Sequence, residues 1–522
     1  VVFRVKAGGF TTNTGTGTQT IACVGFTPTA VLYFADKVTT ETAATDAFST
    51  YGMTDGTRSK SIGTSIEDGD VCNRTERIQR ESSILVFQNC CSCVVDFRTT
   101  FTSFNSDGFV ICNVTNTDSA AYLIKYLAFG GTTNARVDQA LVSGSPVVCQ
   151  GFQPNVIYGM SSGQSAGACL NSQHAIHTHG WAVRSGCATQ QWHIDDFRGE
   201  DDAAQVGGQI RDDGFIGQRY NITRTWQMSL TTFDAGGFTW AGCNPDVFYY
   251  LIMELPTGIC AFVGDFQKTS STCMCVSQAL PDSTFTPQAY MLSTNSKTTK
   301  TCIPIANSLL SVGAYSQRGT PGQFNVSSTR EACGSQADMV TDDCNVLYNL
   351  GLAVAKNAIG VAQTITDSTP CILWTTNDAQ ASWIGYVAFE DAAGLDLVKI
   401  QPEAVNINEA LVKTQQKFRI IPENVNITEC VVSLVPKFQI TGDVRDLALA
   451  TVGTVRVVLL KHDGAAEACR IYSIVDHTNA DACGLYNFMC ISGTQSRFMV
   501  IAYNDEATDR RGVTNDNLTP VT

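Results

Sequence analysis

The sequence predicts an all-β protein made of tandem β-sandwich modules of a jelly-roll-like kind, and three repeated features carry that prediction. The segment Val24-Gly25-Phe26-Thr27-Pro28 returns as Gln150-Gly151-Phe152-Gln153-Pro154 and again as Ser283-Thr284-Phe285-Thr286-Pro287. The stretch Phe104-Asn105-Ser106-Asp107-Gly108-Phe109 returns as Phe233-Asp234-Ala235-Gly236-Gly237-Phe238. Both copies read as strand, Asx/Gly turn, strand, which is a hairpin signature. An apolar strand then closes each copy: Ile124–Phe129, Tyr249–Met253 and Ile384–Phe389. Self-similarity at a fixed spacing marks a chain assembled from one module.

Taken in order, residues 1–131, 132–257 and 258–391 are the three modules. The third lacks a clear copy of the hairpin. The spacing of Val346, Leu347, Leu350 and Val354 predicts a short helix there, within 335–363. A finer repeat follows at 392–443. Ile400-Gln401-Pro402-Glu403 recurs as Ile420-Ile421-Pro422-Glu423, and Lys417-Phe418-Arg419-Ile420 recurs as Lys437-Phe438-Gln439-Ile440. Such a unit is too small to bury a core alone, and it reads as an ordered connector or shaft. Residues 444–522 read as a small C-terminal β-sandwich, with Val455–Leu460, Cys469–Ile474 and Phe498–Asn504 as strands and Asp463-Gly464 as a turn.

Composition narrows the function. Charged residues are only 16% of the chain, and the net charge is −14. Phosphate backbones need clustered Lys and Arg, so nucleic acid is not an expected partner. No apolar run approaches the roughly 20 residues that span a bilayer. The start, Val1-Val2-Phe3-Arg4, lacks the basic and apolar regions of a signal peptide, which points to export by a route other than standard secretion. Asn-x-Ser/Thr sites at Asn73, Asn113, Asn221, Asn325, Asn426 and Asn517 are about as many as chance gives.

The chain has 21 cysteines. They lack the paired knuckle spacing of zinc sites. Disulfide staples are the favoured reading, with buried free cysteines as the alternative. The candidates are Cys23, Cys72, Cys90, Cys91, Cys93, Cys112, Cys149, Cys169, Cys187, Cys243, Cys273, Cys275, Cys469, Cys483 and Cys490. The odd count leaves at least one cysteine without a partner in its own chain, which points to an interchain bridge.

The tail motifs Val455-Arg456-Val457, Gly484-Leu485-Tyr486-Asn487-Phe488, Val500-Ile501-Ala502-Tyr503-Asn504-Asp505 and Asn515-Asp516-Asn517-Leu518-Thr519-Pro520 resemble the carboxypeptidase-regulatory-like β-sandwich near the end of tailed-bacteriophage virion proteins. The repeated Gly-Phe-x-Pro opening, Asp-Gly-Phe hairpin and Tyr-Leu-Ala-Phe closing strand resemble modules of phage structural proteins. The resemblance implies a non-enzymatic virion component, such as a fibre, spike, collar or surface decoration, assembled in the host cytoplasm. It implies homo-oligomers, trimers foremost, contacts with other virion proteins, and no catalytic residues. A receptor-binding fibre or lectin-like adhesin for host surface glycans is the alternative, and a polysaccharide-degrading enzyme a third reading.

Local clusters are weighed on the same terms. His174, His177, His179 and His193 fall close together, and His177 and His179 share one strand face. Phage fibres of some families hold a metal on a threefold axis through His-x-His pairs, which makes His177 and His179 candidate ligands of a structural metal; no other cofactor is expected. The competing reading is histidines satisfied by hydrogen bonds. The acidic run Asp195–Asp202 reads as an exposed loop, with a glycosidase pair or calcium site as alternatives. Trp181, Trp192, Trp226 and Trp240 read as core aromatics, with a sugar-stacking platform as the alternative. Gly163-Gln164-Ser165-Ala166-Gly167 has the letters of a nucleophile elbow but lies in an all-β module, where the required strand-to-helix turn is not expected.

Overall fold

A computed structural model shows an all-β protein, with no helix among the described residues. It describes residues 2–390, except 67–74, 90–93, 142–146, 165–168, 171–174, 186–187, 199–205, 220–223, 243–246, 271–275, 280–286, 301–302, 305–306, 318–320, 332–336, 351–355 and 364–370. Beyond 390 it describes the strands Lys437–Asp443, Val455–His462, Tyr472–Asn479, Leu485–Ile491, Arg497–Asn504 and Gly512–Leu518. The chain forms two compact units, Val1–Ala392 and Ala393–Thr522.

The first module has strands β1 (Arg4–Thr11), β2 (Gly17–Ile21), β3 (Ala30–Asp36), β4 (Ala44–Thr45), β5 (Ala47–Thr54), β6 (Ser59–Ile66), β7 (Thr75–Glu81), β8 (Leu85–Gln88), β9 (Val95–Asn105), β10 (Gly108–Asn116) and β11 (Leu123–Gly130). The inner sheet runs β1-β11-β3-β5-β6-β7 and the outer sheet β2-β10-β9-β8, all antiparallel. The strands between Asn134 and Glu254, and between Ala261 and Glu390, repeat this order in two further modules.

The inner strands are buried along their whole length. Every residue of β3 and of β5 is buried. A sheet covered on both faces reads as a continuous apolar run rather than an alternating one. Val31, Tyr33 and Ala35 face the module's own outer sheet, where they meet Phe87, Phe97 and Phe109. Ala30, Leu32 and Phe34 face the other way, into a core that the three modules share. Outer strand β9, with one face in water, alternates between buried and partly exposed positions.

Exchanged strands tie the modules into a cycle. β4 of the first module pairs with Ala337–Asp342 at the inner-sheet edge of the third. Ile303–Pro304 of the third pairs with Val206–Arg211 of the second, and Cys169–Leu170 of the second pairs with β7 of the first. Each module gives one strand and receives one, so every donated edge is covered, as a closed heterologous cycle requires. The opposite edges are covered as well. The backbone N–H groups of Ala7, Val137 and Val263 occupy equivalent edge positions. They donate to Ser316 Oγ at 2.9 Å, Asp55 Oδ2 at 2.7 Å and Gln190 Oε1 at 3.2 Å, each on the neighbouring module.

One contact recurs three times and sets the spacing of inner and outer sheets. Gly52, Gly180 and Gly313 fall at equivalent positions, and a Cβ on any of them would collide with the carbonyl oxygen of Ile84, Phe215 or Val346, respectively. Two residues before each glycine stands a hydroxyl. Thr50, Thr178 and Ser311 accept the backbone N–H of Val86 at 3.0 Å, Gly217 at 3.4 Å and Tyr348 at 3.2 Å. The glycine admits the outer strand and the hydroxyl satisfies a donor that this close approach buries.

Among the described residues within 335–363 the predicted helix does not occur, and Val354 lies outside them. That stretch holds the strands Ala337–Asp342, Leu347–Leu350 and Lys356–Ala362. Val346, Leu347, Tyr348 and Leu350 are all buried because this strand has neighbours on both faces, and such burial mimics a helical face in sequence. The third module does have the outer pair, Lys356–Ala362 against Cys371–Thr376, and residues 364–370 between them lie outside the described residues. In the second unit, Lys437–Asp443, assigned above to the shaft, pairs with Leu485–Ile491, so the boundary drawn at 443 cuts a sheet. A four-stranded sheet, Tyr472–Asn479, Val455–His462, Arg497–Asn504, Gly512–Leu518, is also described in that unit. Residues 392–436 lie outside the described residues.

Gly52→Ala should lower the unfolding free energy by about 3 kcal/mol, at the upper end of overpacking effects. Thr50→Val should cost about 1–3 kcal/mol by stranding the Val86 N–H. Urea titration checks both, and a change under about 0.5 kcal/mol for Gly52→Ala would contradict the contact.

Candidate functional site

The repeated anchors turn out to be one structural device. Asp107, at the hairpin tip, accepts the N–H groups of Cys23 at 2.9 Å and Gly25 at 2.7 Å, which holds its carboxyl below the usual carboxylate range. In the second module, Gly236 O accepts Gln150 N at 2.5 Å and Gly151 N at 3.1 Å. Gly25 and Gly151 have φ of 85° and 86°, a left-handed geometry that favours glycine. The proline that follows leads into the inner strand, and Thr29 N and Asn155 N bond to Phe129 O and Met253 O of the closing strands. Hairpin, turn and closing strand therefore meet in one place. Residues 280–286, which hold most of the third copy, lie outside the described residues.

His177 and His179 enter the shared core. Register places Ser49, His177 and Leu310 at equivalent positions, then Tyr51, His179 and Val312, then Met53, Trp181 and Ala314. Each level takes one residue from each module, and the three differ in size and polarity. The His179 ring meets Tyr51, Tyr158 and Trp192 at centroid distances of 5.6, 6.2 and 6.1 Å. Its Nδ1 lies 3.3 Å from His177 Nε2 and its Nε2 lies 3.0 Å from Ser293 Oγ of the third module. Burial, with the His193 charge second, pulls the His179 pKa down to about 3. The other two modules offer no histidine at these levels, and no group of three His, Cys, Asp or Glu fit to hold a metal occurs among the described residues. His193 faces the opposite side, where Nδ1 lies 3.1 Å from Gly214 O. His174 lies outside the described residues.

The acidic run does not start as an exposed loop. Asp195 and Asp196 lie on the strand Ala188–Arg198 and are buried. Adjacent strand residues point to opposite faces, so they cannot serve as a carboxylate pair on one substrate. Gln209 Nε2 donates to Asp195 Oδ2 at 2.5 Å. Residues 199–202 of the run lie outside the described residues. Trp181 and Trp192 belong to the shared core and Trp240 to the sandwich interior of the second module. None of these three offers a face for sugar stacking, and the Trp226 side chain is outside the described residues.

Among the candidate cysteines, Cys23 and Cys112 are free thiols. Cys23 is exposed in a turn with φ of 66°, and the Cys112 thiol lies 4.0 Å from Asn113 O. Neither makes the staple expected of it within the chain. The side chains of Cys72, Cys90, Cys91, Cys93, Cys149, Cys169, Cys187, Cys243, Cys273, Cys275, Cys469, Cys483 and Cys490 lie outside the described residues. Asn113 and Asn325 are buried and hydrogen-bonded, so neither can accept a glycan in the folded chain.

Each seam between modules carries a carboxylate at one recurring position. Glu81, Asp212 and Asp343 hold equivalent places, one per seam. Asp343 pairs with Lys125 and Asp212 with Lys300, which also reaches Asp265 at 2.8 Å. At the seam of the first and second modules the carboxylate is Glu81, with Lys60 Nζ at 3.4 Å. A cleft of ≈ 590 Å³ lies at this seam, lined by Arg58, Lys60, Glu81, Phe101, Asp138 and Gln139 among others. Arg58 pairs with Asp138, and Lys60 Nζ donates to Gln139 Oε1 at 2.7 Å while lying 5.1 Å from the Tyr249 ring centroid. No single motif singled out these residues. The signal lay in aligning the inner strands of the three repeats and asking where one copy departs.

Comparison with protein-family models and with curated proteins gives no match.

The His179 environment predicts acid sensitivity. An unfolded histidine titrates near ~6.5, and the folded one near 3. Between these values the unfolded chain binds a proton that the folded chain does not, so stability falls as pH drops through this window. Melting temperatures from pH 7 to pH 4 should decline, and His179→Gln should flatten that decline. An unchanged slope in the variant would contradict the assignment.

Proposed function

We propose that the chain is a non-enzymatic structural component of a tailed-phage particle, a spike, collar, fibre or surface decoration, with residues 1–392 as its head. The observation that supports this reading most is the cyclic strand exchange. Three repeats on one chain complete one another's sheets and share one core, as subunits of a trimeric head would. Such a head needs no sister chain to close, so self-association and contacts with other virion proteins fall to other surfaces. The polar residues with the strongest chemical look, His177, His179, Asp195 and Asp196, are buried within the strands, which favours a structural role over a catalytic one. Disulfide reinforcement belongs to the same proposal and draws on cysteines other than Cys23 and Cys112.

Antibodies against the head should decorate one fixed location on purified particles in negative-stain images, and the protein should band with the particles in a density gradient. Its absence from the particle fraction would overturn the proposal. Asp195→Ala and Asp196→Ala should lower the melting temperature without removing any polysaccharide depolymerisation by the particle. Loss of depolymerisation in a folded variant would make the chain an enzyme.

A further inference from the structure

We propose that the cleft at the seam of the first and second modules binds an uncharged oligosaccharide. The two other seams serve as internal controls. Register makes Lys60, Trp192 and Phe324 equivalent, since they pair across from Met53, Trp181 and Ala314. It likewise makes Asp138, Gly264 and Gly8 equivalent.

At the seam of the second and third modules, the Trp192 indole packs on Gly385, where a Cβ would fall 2.7 Å from Cδ2, and its Nε1 donates to Tyr386 O at 2.8 Å. At the seam of the third and first, the Phe324 ring lies 5.8 Å from that of Phe34. Gly264 and Gly8 each lie under a tyrosine, Tyr386 and Tyr126. An aromatic and a glycine thus occupy these positions at both seams. At the first seam the same two positions carry Lys60 and Asp138, beside the cleft of ≈ 590 Å³, a volume in the range of small-molecule sites.

The lining sets the ligand class. Arg58 and Lys60 balance Glu81 and Asp138, and they already contact each other: Arg58 with Asp138, Lys60 with Glu81. Arg136 Nη2 adds a longer contact to Asp138 at 3.6 Å. A balanced site gains little from a phosphate or carboxylate ligand and would leave carboxylates facing it. What remains is a set of fixed donors and acceptors, including planar guanidinium, carboxylate and amide groups that suit paired hydroxyls. Phe101 adds an apolar surface at the wall, partly exposed and edge-to-face with Phe104 at 4.6 Å, against which the C–H face of a sugar ring can pack. This inference rests on the head alone and not on the virion reading.

The test titrates the full chain with chitotriose, maltotriose and mannotriose as uncharged probes and with sialyllactose as an anionic one, by calorimetry. At least one uncharged probe should bind. Phe101→Ala should weaken it at least tenfold. The double variant Lys60→Phe/Asp138→Gly, which gives this seam the residues of the other two, should abolish binding with an unchanged circular dichroism spectrum. Phe101 lies on the outer sheet, so its variant reads the cleft even if the double variant is destabilised. Binding to none of the uncharged probes, binding of sialyllactose only, or binding that survives both substitutions would overturn the proposal.

Discussion

The inner sheets have two apolar faces, and everything else in the first unit follows from the need to cover both. One face packs on the outer sheet of the same module. The other, with Leu32 and Phe34 in the first module and their counterparts Tyr158, Met160, Met291 and Ser293 in the others, has only the neighbouring modules to pack against. Burying a large aliphatic or aromatic side chain is worth roughly 1.5–3 kcal/mol. A face of this size left in water would not support a stable module. The three repeats are therefore obligate companions, and the exchanged strands and edge-capping side chains are the local consequences of their contact.

Placing all three modules on one chain has a second consequence. Three identical subunits would have to present the same residue at every level of the shared core. Here Met53, Trp181 and Ala314 fill one level with large, larger and small side chains, and Tyr51, His179 and Val312 fill the next. Residues of different size at one level can fill space that three identical side chains would leave empty or overfill. The same freedom lets one seam depart from the other two, which is how Lys60 and Asp138 come to stand where the other copies carry an aromatic and a glycine.

The all-β class and the repeated hairpin and closing strands were legible because their signals are local: period-two or continuous apolar runs bounded by Asx, Gly and Pro. The cycle was not, because strand exchange pairs segments of different modules far apart in sequence and its strands, such as Ala44–Thr45, are two residues long. The motif Thr50-Tyr51-Gly52, Thr178-His179-Gly180, Ser311-Val312-Gly313 was present in the sequence but carries a different middle residue each time, since that residue faces the variable core. The false helix near Val346 and the supposed acidic loop at Asp195 share one cause. Burial on both faces removes the alternation that marks a strand, and buried polar partners such as Gln209 allow a charge where a loop is otherwise the natural reading.

The central claim is that the three modules of residues 1–392 form one cooperative body. Native-state hydrogen exchange of the full chain, read by mass spectrometry on peptides covering Ala47–Thr54, Ala175–Ser185 and Asn307–Ser316, tests it most directly. Exchange through one shared opening, with the same free energy and denaturant dependence in all three segments, is the predicted result. Three separate opening energies, with one module exchanging while the others stay protected, would contradict it.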